Sequence, residues 1–148
     1  MSAVTLPRRT ADDLLAEARS HLDRIGPEEA ARRIAGGAVL VDIRPVQQRA
    51  AEGEVAGALV VERNVLEWRF DPTGDARLPQ AHEDVDVVVL CQEGYTSSLA
   101  AYALQQLGLH RATDVVGGFA AWRDAGLPWA WTVSPTVDQR EEVRRGQA

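Results

Sequence analysis

At 148 residues, with 45% hydrophobic and 26% charged residues, the chain has the size and balance of one globular domain with one core. Its net charge of −6 argues against the concentrated basic face that nucleic acid requires, and no run approaches the roughly 18 continuous apolar residues of a membrane span. One cysteine and three scattered histidines exclude an internal disulfide and leave no zinc-like cluster, so neither metal nor cofactor is expected, and with no export signal the chain reads as cytoplasmic.

Thr10 to Ile25 reads as an amphipathic helix. Thr10 can cap it, Asp12 and Asp13 suit the positive end of its dipole, and Leu14, Leu15, Ala18, Leu22 and Ile25 form one stripe. That stripe must pack on the domain itself or on a second copy, so a homodimer through this helix is one expectation. Gly26-Pro27 stops the helix and starts another, which Gly36-Gly37 ends. Ala38 to Ile43 is a short valine-rich run closing on Asp42, hence a buried strand. Gln47 to Glu52 predicts a short polar helix and Ala58 to Val61 a strand. Asn64 to Phe70 predicts one or two helical turns burying Leu66, Trp68 and Phe70, with Arg63 and Arg69 flanking Trp68 where they could reach a pocket. Asp71 to Glu83 carries Asp-Pro, Thr-Gly and Leu-Pro and reads as an irregular connection.

Asp86 to Leu90 is a continuous apolar run of the kind found in central parallel strands, and Cys91 stands at its carboxyl end. Ser97 to Leu107 predicts a helix with Leu99, Ala103, Leu104 and Leu107 on one side, Ala112 to Val116 a last strand, and Gly118 to Asp124 a last helix. The alternation predicts an α/β domain with a mostly parallel central sheet of about five strands flanked by helices, plus the extra N-terminal helix. Three parts follow: an extension over 1–26, the domain over 27–133, and a polar, flexible tail over 134–148. Ligands of such sheets bind beyond the carboxyl ends of the strands, where this reading places both Cys91 and Asp42.

The segment Cys91-Gln92-Glu93-Gly94-Tyr95-Thr96-Ser97 joins a strand end to a helix start. A turn this tight can point successive N–H groups inward, Gly94 permits a positive φ, and the helix start adds unsatisfied donors, so the hollow attracts an anion. A cysteine sulfur beside such donors is favoured as thiolate, the competent nucleophile, and the same donors would hold a persulfide. The plain alternative is a buried structural cysteine, with Thr96 and Ser97 as helix caps.

Four motifs in order resemble the rhodanese family, over Pro27 to Pro128. Val39-Leu40-Val41-Asp42-Ile43-Arg44 is similar to its strand followed by Asp-x-Arg. Gly53-Glu54-Val55-Ala56-Gly57-Ala58 resembles its Gly-His-Ile-Pro-Gly-Ala turn, departing at Glu54 and Ala56. Cys91-x-x-Gly94-x-Thr96-Ser97 resembles the active loop, and Gly117-Gly118-Phe119-x-x-Trp122 the closing Gly-Gly-x-x-x-Trp signature.

The resemblance implies a sulfurtransferase or sulfur carrier in which Cys91 takes sulfur from a small donor, thiosulfate or a persulfide, and passes it to a thiol or another nucleophile. Gln92, Glu93, Gly94, Tyr95, Thr96 and Ser97 would hold the persulfide. Asp42 and Arg44 would support the loop, or simply pair with each other. Many single-domain members have arginine where Thr96 stands and some sulfurtransferases of the family have threonine, so Thr96 is compatible with sulfur transfer and leaves the donor open, while Glu93 sets a carboxylate beside the hollow, which disfavours a dianionic donor. The competing function is a non-catalytic protein-binding or redox-sensing module. A cysteine phosphatase fits poorly, because Cys91 to Leu99 contains no arginine to clamp a phosphate.

Overall fold

The computed structural model describes residues 6–137. Four short strands, β1 (Val39–Asp42), β2 (Leu59–Val60), β3 (Val87–Leu90) and β4 (Thr113–Asp114), form one all-parallel sheet in the order β2-β1-β3-β4. Six helices surround it: α1 (Ala11–Ser20), α2 (Pro27–Ala35), α3 (Val46–Glu52), α4 (Leu66–Phe70), α5 (Thr96–Gln106) and α6 (Gly118–Asp124). Parallel strands buried on both faces must be apolar throughout, which is why Val87 to Leu90 is an unbroken run. Period-two alternation divides it: Val41, Val87 and Val89 pack under α4 and α5, and Leu40, Val88 and Leu90 pack against Phe119 and Trp122 of α6.

The expected sheet of about five strands has four. Beyond β4 the described residues add only a single-residue parallel bridge, Ile25 to Val115, with the Ile25 N–H donating to the Asp114 carbonyl at 3.2 Å and the Ile25 carbonyl accepting from the Val116 N–H at 2.8 Å. The same pairing explains why α1 stops at Ser20 instead of running on to Ile25, whose backbone is needed at the sheet edge. Thr10 and Asp13 form a reciprocal capping box, which holds the Asp13 carboxyl below its ordinary 3.8. Ala18 and Leu22 are buried against the same chain, with α1 lying along α5, while Leu14 stays exposed.

Two faces differ from expectation. Trp68 is 65% exposed, because Leu66 and Phe70, four apart, define the buried side of α4 and Trp68 lies across the helix from them. On α5 the buried side is Ser97, Ser98, Ala100, Ala101 and Leu104, and Leu99 faces out. Both serines turn inward to a carboxylate, and the alanines let the helix approach the sheet closely. Among the described residues no helix is long and apolar enough to cross a membrane.

Residues 134–137 of the expected tail lie against the domain, and the rest of it falls outside the described residues. The Ser134 N–H donates to both Glu54 carboxylate oxygens at 3.1 and 2.8 Å, its carbonyl accepts from Arg49 at 2.7 Å, and the Val137 N–H reaches the Val60 carbonyl at 3.0 Å. Arg49 and Glu54 are buried partners 3.3 Å apart, so these contacts complete an ion pair that has no access to water. A chain ending after Val133 should therefore unfold at lower denaturant concentration than one ending after Val137, by about 1–3 kcal/mol in equilibrium unfolding. Equal stabilities would show that these contacts contribute nothing.

Candidate active site

The carboxyl ends of β1 and β3 lie side by side, with Asp42 paired to Leu90 in register, so the loops that follow them share one end of the sheet. Here the chain turns from β3 into α5, and the Cys91 sulfur receives two backbone donors: the Gly94 N–H at 3.2 Å and the Ser97 N–H at 3.4 Å. The N–H groups of Glu93, Tyr95 and Thr96 meet no acceptor among the described residues. Two amide donors on a sulfur at a helix start make a cradle for negative charge.

Why the amides point this way follows from where the loop's carbonyls go. The Cys91 carbonyl accepts the Phe119 N–H at 2.8 Å and the Gln92 carbonyl accepts the Ala120 N–H at 3.0 Å, both from the first turn of α6. That turn can come so close only because it opens on glycine. Gly118 has φ +61, and a Cβ there would fall 2.4 Å from the Cys91 oxygen. Gly94 has φ +85, and its missing Cβ would meet the Gly117 nitrogen at 2.8 Å.

The Gly94 carbonyl is held from another direction, by Arg19 Nη2 at 2.8 Å and Arg24 Nη2 at 3.0 Å. Below the loop, fully buried Asp114 accepts the hydroxyls of Ser97 at 2.7 Å and Ser98 at 2.8 Å, and pairs with Arg24 at 2.9 Å. Neither Thr96 nor Ser97 caps α5 through its side chain.

Asp42 and Arg44 are both wholly buried and joined at 2.7 Å. The remaining Arg44 donors go to the Gln92 side chain at 2.9 Å and the Gly53 carbonyl at 2.8 Å, and its guanidinium lies 4.3 Å from the centre of the Phe119 ring. Every nitrogen of this guanidinium thus has a partner, and the bond to Gln92 ties the β1 loop to the cysteine loop. Gln92 to Ser97, the residues expected around the sulfur, do lie together with it. A pocket of about 250 Å³ opens there, lined by Ile43, Arg44, Pro45, Gln48, Cys91, Gln92, Glu93, Tyr95 and Thr96. Glu93, Tyr95 and Thr96 are exposed at its mouth, and Cys91 is 4% exposed at its floor. Arg63, Trp68 and Arg69 do not line it: Arg63 pairs with Glu67, and Arg69 is buried with the Ala76 carbonyl.

Arg19, Arg24, Ser98 and Asp114 are site residues that the sequence reading passed over. Asp114 carried a signal, a carboxylate at the core of a short buried strand, but the two arginines look like ordinary helix-surface cations.

A cysteine at the end of a buried parallel strand, its sulfur met by two backbone amides at the floor of an open pocket, is a thiol site of the parallel α/β class. The model of the rhodanese-like domain matches residues 26–125, and the chain belongs to that family. It is 36% identical over 104 residues to the thiosulfate sulfurtransferase GlpE of Pseudomonas entomophila, covering 70% of this chain and 87% of the relative. It is 30% identical to a sulfurtransferase of Allochromatium vinosum, covering 72% and 94%. Among solved structures, a Rhodopseudomonas palustris protein of unknown function, described as a possible tyrosine phosphatase, superimposes with a TM-score of 0.76 at 33% identity, covering 86% of this chain and 99% of that one. The rhodanese-like α/β fold expected from the four motifs is the fold observed.

Gly118 is the position where the cradle is most easily broken without touching the sulfur. Gly118→Ala should cost at least about 1–3 kcal/mol through left-handed strain, with the contact to the Cys91 carbonyl in addition. Thermal unfolding checks this, and a melting temperature equal to that of the wild type would mean that α6 does not hold the loop.

Proposed function

We propose that the chain is a sulfurtransferase that carries sulfane sulfur as a persulfide on Cys91. The observation that carries this reading is the pair of amides on the Cys91 sulfur at the floor of an open pocket, in a loop whose other amides meet no acceptor among the described residues. The Cys91 thiolate attacks the outer sulfur of the donor, an S–S bond forms to Cys91, and the donor's own bond to that sulfur breaks. Sulfite leaves with the electron pair if the donor is thiosulfate, and a thiolate leaves if it is a persulfide. An acceptor thiolate then attacks the outer sulfur and Cys91 is released as thiolate. The amide donors would stabilise charge on both sulfurs without moving, which is the form of electrostatic assistance that costs no reorganisation. Thiols of a cytoplasmic pool would serve as acceptors.

The charge around the pocket bears on the donor. Its lining contains one cation, Arg44, which Asp42 already neutralises, and one further charge, the carboxylate of Glu93 at the mouth. A low-charge donor such as a thiol-bound persulfide suits that balance better than the thiosulfate dianion named for several relatives. A tyrosine phosphatase reading has less support, because Cys91 to Leu99 carries no arginine and the nearby Arg44 has no free arm for a phosphate. A non-catalytic binding module would leave the donors around the sulfur without a purpose.

Two variants test the reading through kcat/KM for thiosulfate and for a low-molecular-weight persulfide. Cys91→Ser should abolish both, and retained turnover would remove Cys91 from the chemistry. Glu93→Gln should raise the thiosulfate-to-persulfide ratio about tenfold if its carboxylate lies within several ångströms of the donor. An unchanged ratio would place Glu93 in solvent, outside the reach of the donor.

A further inference from the structure

Arg19 and Arg24 lie ahead of residues 26–125, the part of the chain that the family model matches, yet both reach into the cysteine loop. They converge on one atom, the Gly94 carbonyl oxygen, at 2.8 and 3.0 Å. Each is fixed by a second bond: Arg19 Nε donates to Ser98 Oγ at 3.1 Å, and Arg24 chelates Asp114 at 2.9 and 3.2 Å. The α1 helix that carries Arg19 is itself started by the Thr10–Asp13 capping box and seated by Ala18 and Leu22.

The peptide joining Gly94 to Tyr95 is the part of the loop that the two arginines hold. Turning it over rotates Gly94 ψ, which glycine allows, and Tyr95 φ, which lies at −95 and would move toward the left-handed region, so the present orientation is already preferred and the two arginines add to that preference. Because the peptide is planar and trans, its C=O and N–H point in opposite directions, so the placement of the Gly94 oxygen decides where the Tyr95 N–H goes. With the oxygen directed outward, that N–H adds to the donors on the sulfur side. With the plane reversed, a carbonyl oxygen would face the sulfur and repel the anion. Two charge-assisted bonds to one oxygen strongly favour the first arrangement.

We propose that Arg19 and Arg24 are positioning residues for sulfur transfer, which hold the Gly94 carbonyl outward and so keep the Tyr95 N–H turned to the persulfide on Cys91. The proposal rests on the sulfurtransferase reading and deepens it: the segment before the matched domain is part of the working site. Arg19 is the residue to test, since removing Arg24 would strand the buried carboxylate of Asp114.

The experiment follows single-turnover loading of sulfur onto Cys91 from a low-molecular-weight persulfide, in the full-length chain, with iodoacetamide alkylation of Cys91 and thermal unfolding measured alongside. Arg19→Met should load about tenfold more slowly while its melting temperature moves by only a few degrees, and Arg19→Lys should recover part of the rate. Arg32→Met, on the outer face of α2, serves as the control. A purely structural role predicts the opposite pattern: a lowered melting temperature, an unchanged loading rate per folded molecule, and faster alkylation as the buried sulfur becomes accessible. That result would overturn the proposal. Should Arg19→Met not fold, Arg19→Gln, which keeps donors but loses the charge, is read by the same two outcomes. If the wild type takes up no sulfur at all, the sulfurtransferase reading itself falls; if it loads and Arg19→Met matches it, only the role of Arg19 falls.

Discussion

The arrangement on which everything else depends is the disposal of three backbone oxygens. A loop that is to offer its amides to a sulfur anion must send its carbonyls elsewhere, and a buried carbonyl without a donor is costly. Here the oxygens of Cys91 and Gln92 go to the first turn of α6, and that of Gly94 goes to two guanidinium groups from the N-terminal segment. The two donor sets come from different parts of the chain, so both the N-terminal segment and α6 must be docked before the cradle exists. Stability and reactivity are linked by that requirement, as expected for a preorganised electrostatic site.

Ion pairs complete the frame. Asp42 with Arg44, Asp114 with Arg24, and Glu54 with Arg49 are all buried or nearly so; two of the carboxylates stand on strands of the sheet, and the Arg24 pair joins the N-terminal segment to β4. Removing one member of such a pair typically costs about 3–5 kcal/mol because a charge is left without its partner. Of the cations beside the loop, Arg44 and Arg24 are paired with carboxylates and Arg19 donates to neutral oxygens, so the groups that meet the sulfur directly are peptide N–H donors. A site built this way holds one delocalised negative charge well and gains little from a second.

Much of this was legible in the sequence, because it depends on local chemistry. The strand ending at Cys91, the glycine that permits the turn, and the Gly117-Gly118-Phe119 run that meets it all announce themselves by residue type and order. The Glu54 departure from the family turn was visible as well, but its partner was not: Arg49 and the Ser134 backbone become its neighbours only after the chain has closed. The same limit hid Arg19 and Arg24, which lie 75 and 70 residues from Gly94. A helix stripe predicts that a helix packs, not which oxygen its arginine will find. The faces of α4 and α5 were misjudged for a related reason, since tertiary anchors, the serines on Asp114 above all, set the rotation of each helix about its axis.

The central claim is that Cys91 carries sulfur, and intact mass spectrometry tests it most directly. The protein is reduced, incubated with thiosulfate or a low-molecular-weight persulfide, and weighed before and after addition of an acceptor thiol. The account predicts a gain of one sulfur atom per chain, lost again to the acceptor and absent from Cys91→Ser. No gain from either donor, with Cys91 intact and the protein folded, would contradict it.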